Sequence, residues 1–209
     1  MKTDPFTDAW LFLVGATGDQ EALGAARYPF VLLFLALLAA SAAIARANWR
    51  ADPAQRTATH LWTWLFRVLI GIMWFQGSLW KLPLPVSGGL QHWTEQMAKY
   101  AAFPFYGELV RDVMLPHMAI VDPLVFLAEM GLAVSFILGL AVRPVATLGA
   151  LYALGLWIGL YRHPDEWPWE YIFLATVQGM FAAHAAGHSL GLDALLRRRA
   201  GLRHRPGAA

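Results

Sequence analysis

The chain has 209 residues, 58% of them hydrophobic and 14% charged, with a mean hydropathy of +0.46 and a formal net charge of +2. That apolar fraction is too high for a soluble domain of this size, so composition points to a polytopic membrane protein, and the small positive excess gives no reason to expect a nucleic-acid partner. The absence of cysteine excludes disulfides, thiolate nucleophiles, thiolate-ligated iron–sulfur clusters and covalent c-type haem, leaving a bound organic cofactor or a histidine-ligated metal for any redox work.

The N-terminal segment carries Asp4, Asp8, Asp19 and Glu21 against Lys2 and Arg27. Its apolar run, residues 10–14, is short and lacks a basic lead-in and a small-residue cleavage site, so no cleavable signal is expected. The stretch LFLVGATG (residues 11–18) superficially resembles the start of a dinucleotide fold. No helix and second strand of such a unit follow it, and an interfacial turn is the expectation. Five segments are then long enough, or nearly so, to cross a hydrocarbon core of about 30 Å at about 1.5 Å per residue: 28–45, 61–82, 122–141, 145–161 and 169–187. They are longer than barrel strands and do not alternate, so they are read as helices. The expected fold is an all-α integral membrane protein with five transmembrane helices. Residues 1–60 hold the first span and its loop, 61–199 a four-helix domain, and 200–209 a basic tail.

Between the second and third spans, residues 83–121 form a long connection in which 89–101 and 106–115 read as short amphipathic helices bounded by Pro104 and Pro116, a folded cap on the outer face. Asp122 followed by Pro123 reads as an N-cap and first-turn pair for the third span. The segment RHPDEWPWEY (residues 162–171) places two tryptophans in an interfacial belt among Asp165, Glu166 and Glu170. Arg46, Arg50 and Arg56, then Arg143, then Arg197, Arg198, Arg199, Arg203 and Arg205 all fall on one side of a five-span topology. By the positive-inside rule that side is cytoplasmic, with the N-terminus outside.

Within the second span Arg67, Gly71, Trp74, Ser78 and Lys81 fall at i, i+4, i+7, i+11 and i+14, one continuous stripe. The two small residues make it a groove, with Trp74 as a flat wall between two cations. Counting rise from the helix ends puts Glu129 about 10 Å into the bilayer, level with Trp74 and Gln76; Lys81 is able to reach down and Arg67 lies about 10–12 Å deeper. A buried carboxylate needs a partner or a proton, and an ionisable group inside a membrane segment is a functional candidate. The competing readings are that Lys81 and Arg67 snorkel to the headgroups, that Trp74 packs the core and that Gln178 bonds a neighbouring helix. His184 and His188, four apart, would share a helix face and could bind a metal, but no further ligands at that depth complete a site, and His60 is the one other span histidine for a haem. No metal or haem is therefore expected. His92, His117 and His163 read as surface residues with some scope for proton transfer.

The run MWFQGSLWKLP (residues 73–83), Glu129 followed two residues later by GL, LGLAVRP (138–144), EWPWEY (166–171) and GHSLGLDALL (187–196) together resemble the DoxD-type small subunit of thiosulfate:quinone oxidoreductase, within the DoxX-like group. The resemblance covers about residues 61 to 199. It implies a four-helix DoxX-like membrane bundle in the plasma membrane that works with a small outer-facing DoxA-type subunit, which this chain does not contain. It also implies oxidation of paired thiosulfates to tetrathionate with electrons passed to quinone. A quinone headgroup needs hydrogen-bond donors, a flat apolar wall and a proton source beside lipid. The expected site therefore has Glu129 and Lys81 as catalytic residues and Arg67, Trp74, Gln76 and Lys81 binding the quinone. The alternatives are a non-catalytic scaffold that docks another membrane or outer-facing enzyme through the cap and, from a third class, a small-solute transporter.

Overall fold

The computed structural model describes residues 4–201, and among them it is helical with no strand. Lys2, Arg203, Arg205 and the rest of the expected tail from residue 202 lie outside the described residues. In chain order the helices are α1 (Pro5–Val14), α2 (Gly18–Ala22), α3 (Arg27–Ala51), α4 (Ala58–Leu79), α5 (Gly88–Tyr100), α6 (Pro104–Leu109), α7 (Met118–Leu138), α8 (Val142–Leu160), α9 (Pro168–Ala183) and α10 (Leu192–Arg199). Four helical runs are long and apolar enough to cross a membrane, Gly24–Ala51, Ala58–Leu79, Pro104–Leu138 and Val142–Leu160, and they make this a membrane protein.

Two expectations about the ends of spans are corrected. The fifth expected span, 169–187, is a helix of 16 residues, about 24 Å long. It stops at Ala183 because His184 leaves helical geometry and Ala185 turns left-handed at φ 46. Asp122 does not cap α7. Turns of π- and 3-10 helix over Val110–His117 feed α7 directly, so the helix is already under way at Met118, with Asp122 and Pro123 inside it. Proline costs an interior helix one backbone hydrogen bond, and here α7 continues through it.

The stripe on α4 is a buried face, as its period requires, and α7 fills it. Arg67, Gly71, Trp74, Ser78 and Lys81 are all buried. At Gly71 an added Cβ would lie 2.7 Å from Ile137 Cγ1 and 2.9 Å from the Ile137 backbone nitrogen, so the absent side chain is what lets the two helices touch. Close approach through small residues is how membrane helices gain packing where no hydrophobic driving force acts between them. Gly149 plays the same part between α8 and α9, where Gln178 crosses to donate to the Gly149 carbonyl at 3.2 Å. Helix α3 lies against α7, with Ser41 donating to the Ile137 carbonyl at 2.6 Å, and touches α4 where Phe34 is tilted on Phe75 at 4.9 Å. Helix α1 begins on Asp4, which accepts from the backbone nitrogens of Phe6 and Thr7. It ends at Gly15 with φ 76 and sets Phe12 edge-on to Phe34 at 5.0 Å.

The chain therefore runs up and down, so that one end gathers most of the arginines and the other gathers α5 and α6. At the α5 end, Ala102 N donates to Ile158 O at 2.8 Å, Arg162 N to Tyr100 O at 3.0 Å and the Tyr106 hydroxyl to Gly155 O at 3.1 Å, which fastens α5 and α6 to the last turns of α8. The arginine end is closed by two motifs picked out separately in the sequence. Gly139, at φ 72, turns the chain from α7 to α8, and Asp193 of α10 accepts from Ala141 N at 2.7 Å and Val142 N at 3.1 Å, capping the free donors at the start of α8. Asp193 N returns a bond to Gly139 O at 2.8 Å. An Asp193→Ala substitution removes a charge-assisted cap and is expected to cost about 2 kcal/mol, with Asp193→Asn losing less. Denaturant titration of the purified chain in micelles, followed by helical circular dichroism, checks both.

Candidate site at the Lys81–Glu129 pair

Helix α4 ends at Leu79 with Trp80 as its C-cap, and the chain then turns back so that Lys81 points into the bundle. Lys81 is 3% exposed, which replaces the snorkelling reading with an interior one. Its ammonium sits 2.6 Å from Glu129 Oε2, donates to the Gly77 carbonyl at 2.7 Å and lies 4.0 Å from the centre of the Trp80 ring. A cation at a helix C-terminus meets carbonyls that have no intrahelical donor, so the position is favourable on that count alone.

Glu129 projects from the middle of α7 and is also 3% exposed. Its other oxygen, Oε1, accepts from the Tyr152 hydroxyl at 2.8 Å, so one carboxylate joins α7 to the end of α4 and to α8. Tyr152 is the member of this cluster that the sequence reading misses. Its signal was available, a lone hydroxyl-bearing aromatic in the middle of an apolar span, where a polar tip needs a partner when buried. Its ring packs on Trp74 with centroids 5.6 Å apart and planes inclined by 37°. The Trp74 indole nitrogen is buried and has no acceptor among the described residues. Two turns along α7 from Glu129, Asp122 is fully buried and accepts from Ser87 N through Oδ2.

Glu129, Lys81 and Trp74 therefore come together as expected, while Gln76 and Arg67 do not join them. Gln76 is exposed on the far side of α4, two residues from both Trp74 and Ser78 of the buried stripe; depth counting puts it level with Glu129 but says nothing about direction. Arg67 is 0% exposed and belongs to the arginine end, about 10 Å from Trp74 along the helix. It donates to the carbonyls of Phe136 and Ser189, the first of them in the last turn of α7, and its guanidinium packs where a Cβ on Gly139 would stand. That is a capping role rather than a contact with the Glu129 cluster.

The histidines also separate. His184 and His188 lie on either side of the Ala185 turn and share no helix face, and His188 meets Arg197 Nη1 at 3.2 Å. His60 Nδ1 is 2.8 Å from Ser189 Oγ. Among the described residues no group of three or more His, Asp or Glu side chains is placed to hold a metal. Gln178, read as an interhelical bond, is one.

Removing one partner of a buried ion pair leaves an uncompensated charge and costs about 3–5 kcal/mol, whereas replacing both by apolar groups of similar volume costs far less. Glu129→Ala and Lys81→Ala are accordingly expected to be strongly destabilised, and a Lys81→Met/Glu129→Leu double variant to recover most of the loss. The same micelle unfolding titration reads the coupling; a double variant as unstable as the sum of the singles would contradict it. No family model, no curated protein and no solved structure matches this chain.

Proposed function

We propose that this chain is the membrane subunit of a quinone-reducing oxidoreductase, with thiosulfate as the electron source and tetrathionate as its product. It would lie in the plasma membrane with the arginine end cytoplasmic and the α5 end outside, as the grouping of Arg46, Arg50, Arg56, Arg143 and Arg197 to Arg199 at one end favours. In this reading α9 completes the bundle as a fifth, shorter span, and α5 and α6 receive a small outer-facing subunit that brings the sulfur chemistry.

The observation that carries the proposal is the buried Lys81–Glu129–Tyr152 chain beside an indole N–H with no acceptor. The fit to a quinone rests on that free donor: a quinone accepts a hydrogen bond at each of its two carbonyl oxygens, and the tilted Trp74–Tyr152 pair gives an aromatic edge for a flat ring. Bound quinone would accept two electrons and two protons to become the quinol. Glu129 would hold a proton at Oε1 or Oε2, Tyr152 would relay through its hydroxyl, and Lys81 would keep the carboxylate oriented and balance its charge.

A second reading is favoured by one specific feature. The Lys81 ammonium is already met by Glu129 and Gly77 O, which is what a structural clamp across α4, α7 and α8 needs. In that case the chain is a scaffold and the ion pair sets helix register.

Reduction of a soluble quinone analogue by thiosulfate, with the chain assembled with its outer subunit, separates the two readings. Glu129→Gln leaves Lys81 without its counter-charge and is expected to lower the yield of assembled complex; scored per assembled complex, it is expected to lower turnover by about tenfold or more, and Tyr152→Phe by a smaller factor. Full turnover in an assembled Glu129→Gln complex would remove the proton role. Loss of assembly with no change in activity per complex would favour the scaffold.

A further inference from the structure

At the arginine end the last turns of α3 carry a shallow groove of about 550 Å³ lined by Ala42, Ala43, Arg46, Ala47 and Arg50. All five residues are exposed. Arg46 and Arg50 are one turn apart, so both guanidinium groups stand over the same alanine floor. Arg56 donates to the carbonyls of Trp49 and Arg50 at 2.7 and 3.1 Å, which brings a third positive charge to that turn. No acidic side chain lines the groove. Like charges at this spacing repel, and an anion between them turns the repulsion into attraction.

We propose that this groove binds an anionic membrane phospholipid, with Arg46 and Arg50 holding the headgroup phosphate and the alanine floor receiving the start of an acyl chain. Depth supports a lipid. Helix α3 has 25 residues, about 37 Å of rise, against a hydrocarbon core of about 30 Å, so its final turns reach headgroup level. The planar fork of arginine matches phosphate oxygens, and basic recesses at the ends of spanning helices suit acidic headgroups. Charge also decides against a second copy of this chain as the occupant, because a copy seated symmetrically on this face would set its own Arg46 and Arg50 against these. The small floor matters as much as the charge: larger side chains at Ala43 and Ala47 would fill the space under the guanidinium groups.

The experiment is native mass spectrometry of the full chain released from bilayers of equal phosphatidylglycerol and phosphatidylcholine, counting retained lipid. Wild type is expected to keep phosphatidylglycerol in preference by roughly tenfold. Arg46→Gln/Arg50→Gln is expected to lose that preference. Arg198→Gln/Arg199→Gln, which removes the same charge from the same end, is expected to keep it. Ala47→Trp leaves both arginines in place and blocks the floor, and it is expected to lose the bound lipid; each variant is first checked for helix content and a single gel-filtration peak. The proposal is overturned if wild type shows no preference, if Arg46→Gln/Arg50→Gln retains it, or if the Arg198→Gln/Arg199→Gln control falls equally, which would assign retention to net charge. Displacement of the lipid by millimolar inorganic phosphate would overturn it in favour of a free-anion site.

Discussion

The contact between α4 and α7 at Gly71 is the constraint on which the rest of the molecule depends. With backbone meeting side chain at under 3 Å for any added Cβ, the two helices cannot shift relative to one another without losing van der Waals contact along their length. That fixed register decides what lies opposite the two cations on the α4 stripe. Arg67 meets the carbonyls at the C-terminal end of α7, and Lys81, about 21 Å further along, meets the carboxylate in the middle of it. One packing contact thus places both charged groups, and each is neutralised by a different device: one by backbone dipoles, the other by an opposite charge.

The same economy governs the ends of the bundle. At the arginine end, Asn48 donates to Gly191 O at 2.8 Å, Gln55 accepts from Leu190 N at 2.7 Å and Asp193 caps α8, so the 186–191 turn and α10 are stitched to α3 and α8 by side chains that reach backbone. At the α5 end the stitching is partly backbone to backbone, through Ala102 and Arg162, partly side chain to backbone, through Tyr106 and Asp122, and Glu129 joins Lys81 and Tyr152 side chain to side chain. In an apolar surrounding each such bond matters because no water competes for it.

Much of this was legible in the sequence, and the reasons differ by residue. The buried stripe Arg67–Lys81 followed from helical period alone, because a bilayer leaves little but the helix as a spanning structure. Glu129 was marked by its cost: too short to reach the headgroups, it had to be paired. Gln76 was misplaced because counting rise gives depth and leaves azimuth to the period, and the period put it off the stripe. Asp122 was misread because Asp-Pro is the signal of a helix start, and here turns of tighter and wider helix upstream override it. The end of α9 was missed because nothing in the run through Gly187 breaks the apolar pattern; the chain leaves the helix at His184 and Ala185 to bring Ser189, Leu190 and Gly191 against α3 and α4, a tertiary demand with no local signature.

The contrast between the two ends has an evolutionary consequence. Where a side chain bonds to backbone, as Arg67, Asn48, Gln55 and Asp193 do, the partner atom is present whatever residue supplies it, so no substitution elsewhere can compensate for a change. Lys81, Glu129, Tyr152 and Trp74 are held by one another, so a change in one can be answered by a change in another. As the sequence drifts, Arg67, Asn48, Gln55 and Asp193 should therefore hold position by position, and Lys81, Glu129, Tyr152 and Trp74 should change in correlated sets. Drift would leave the signature of the site as covariation, and that of the lock as invariance.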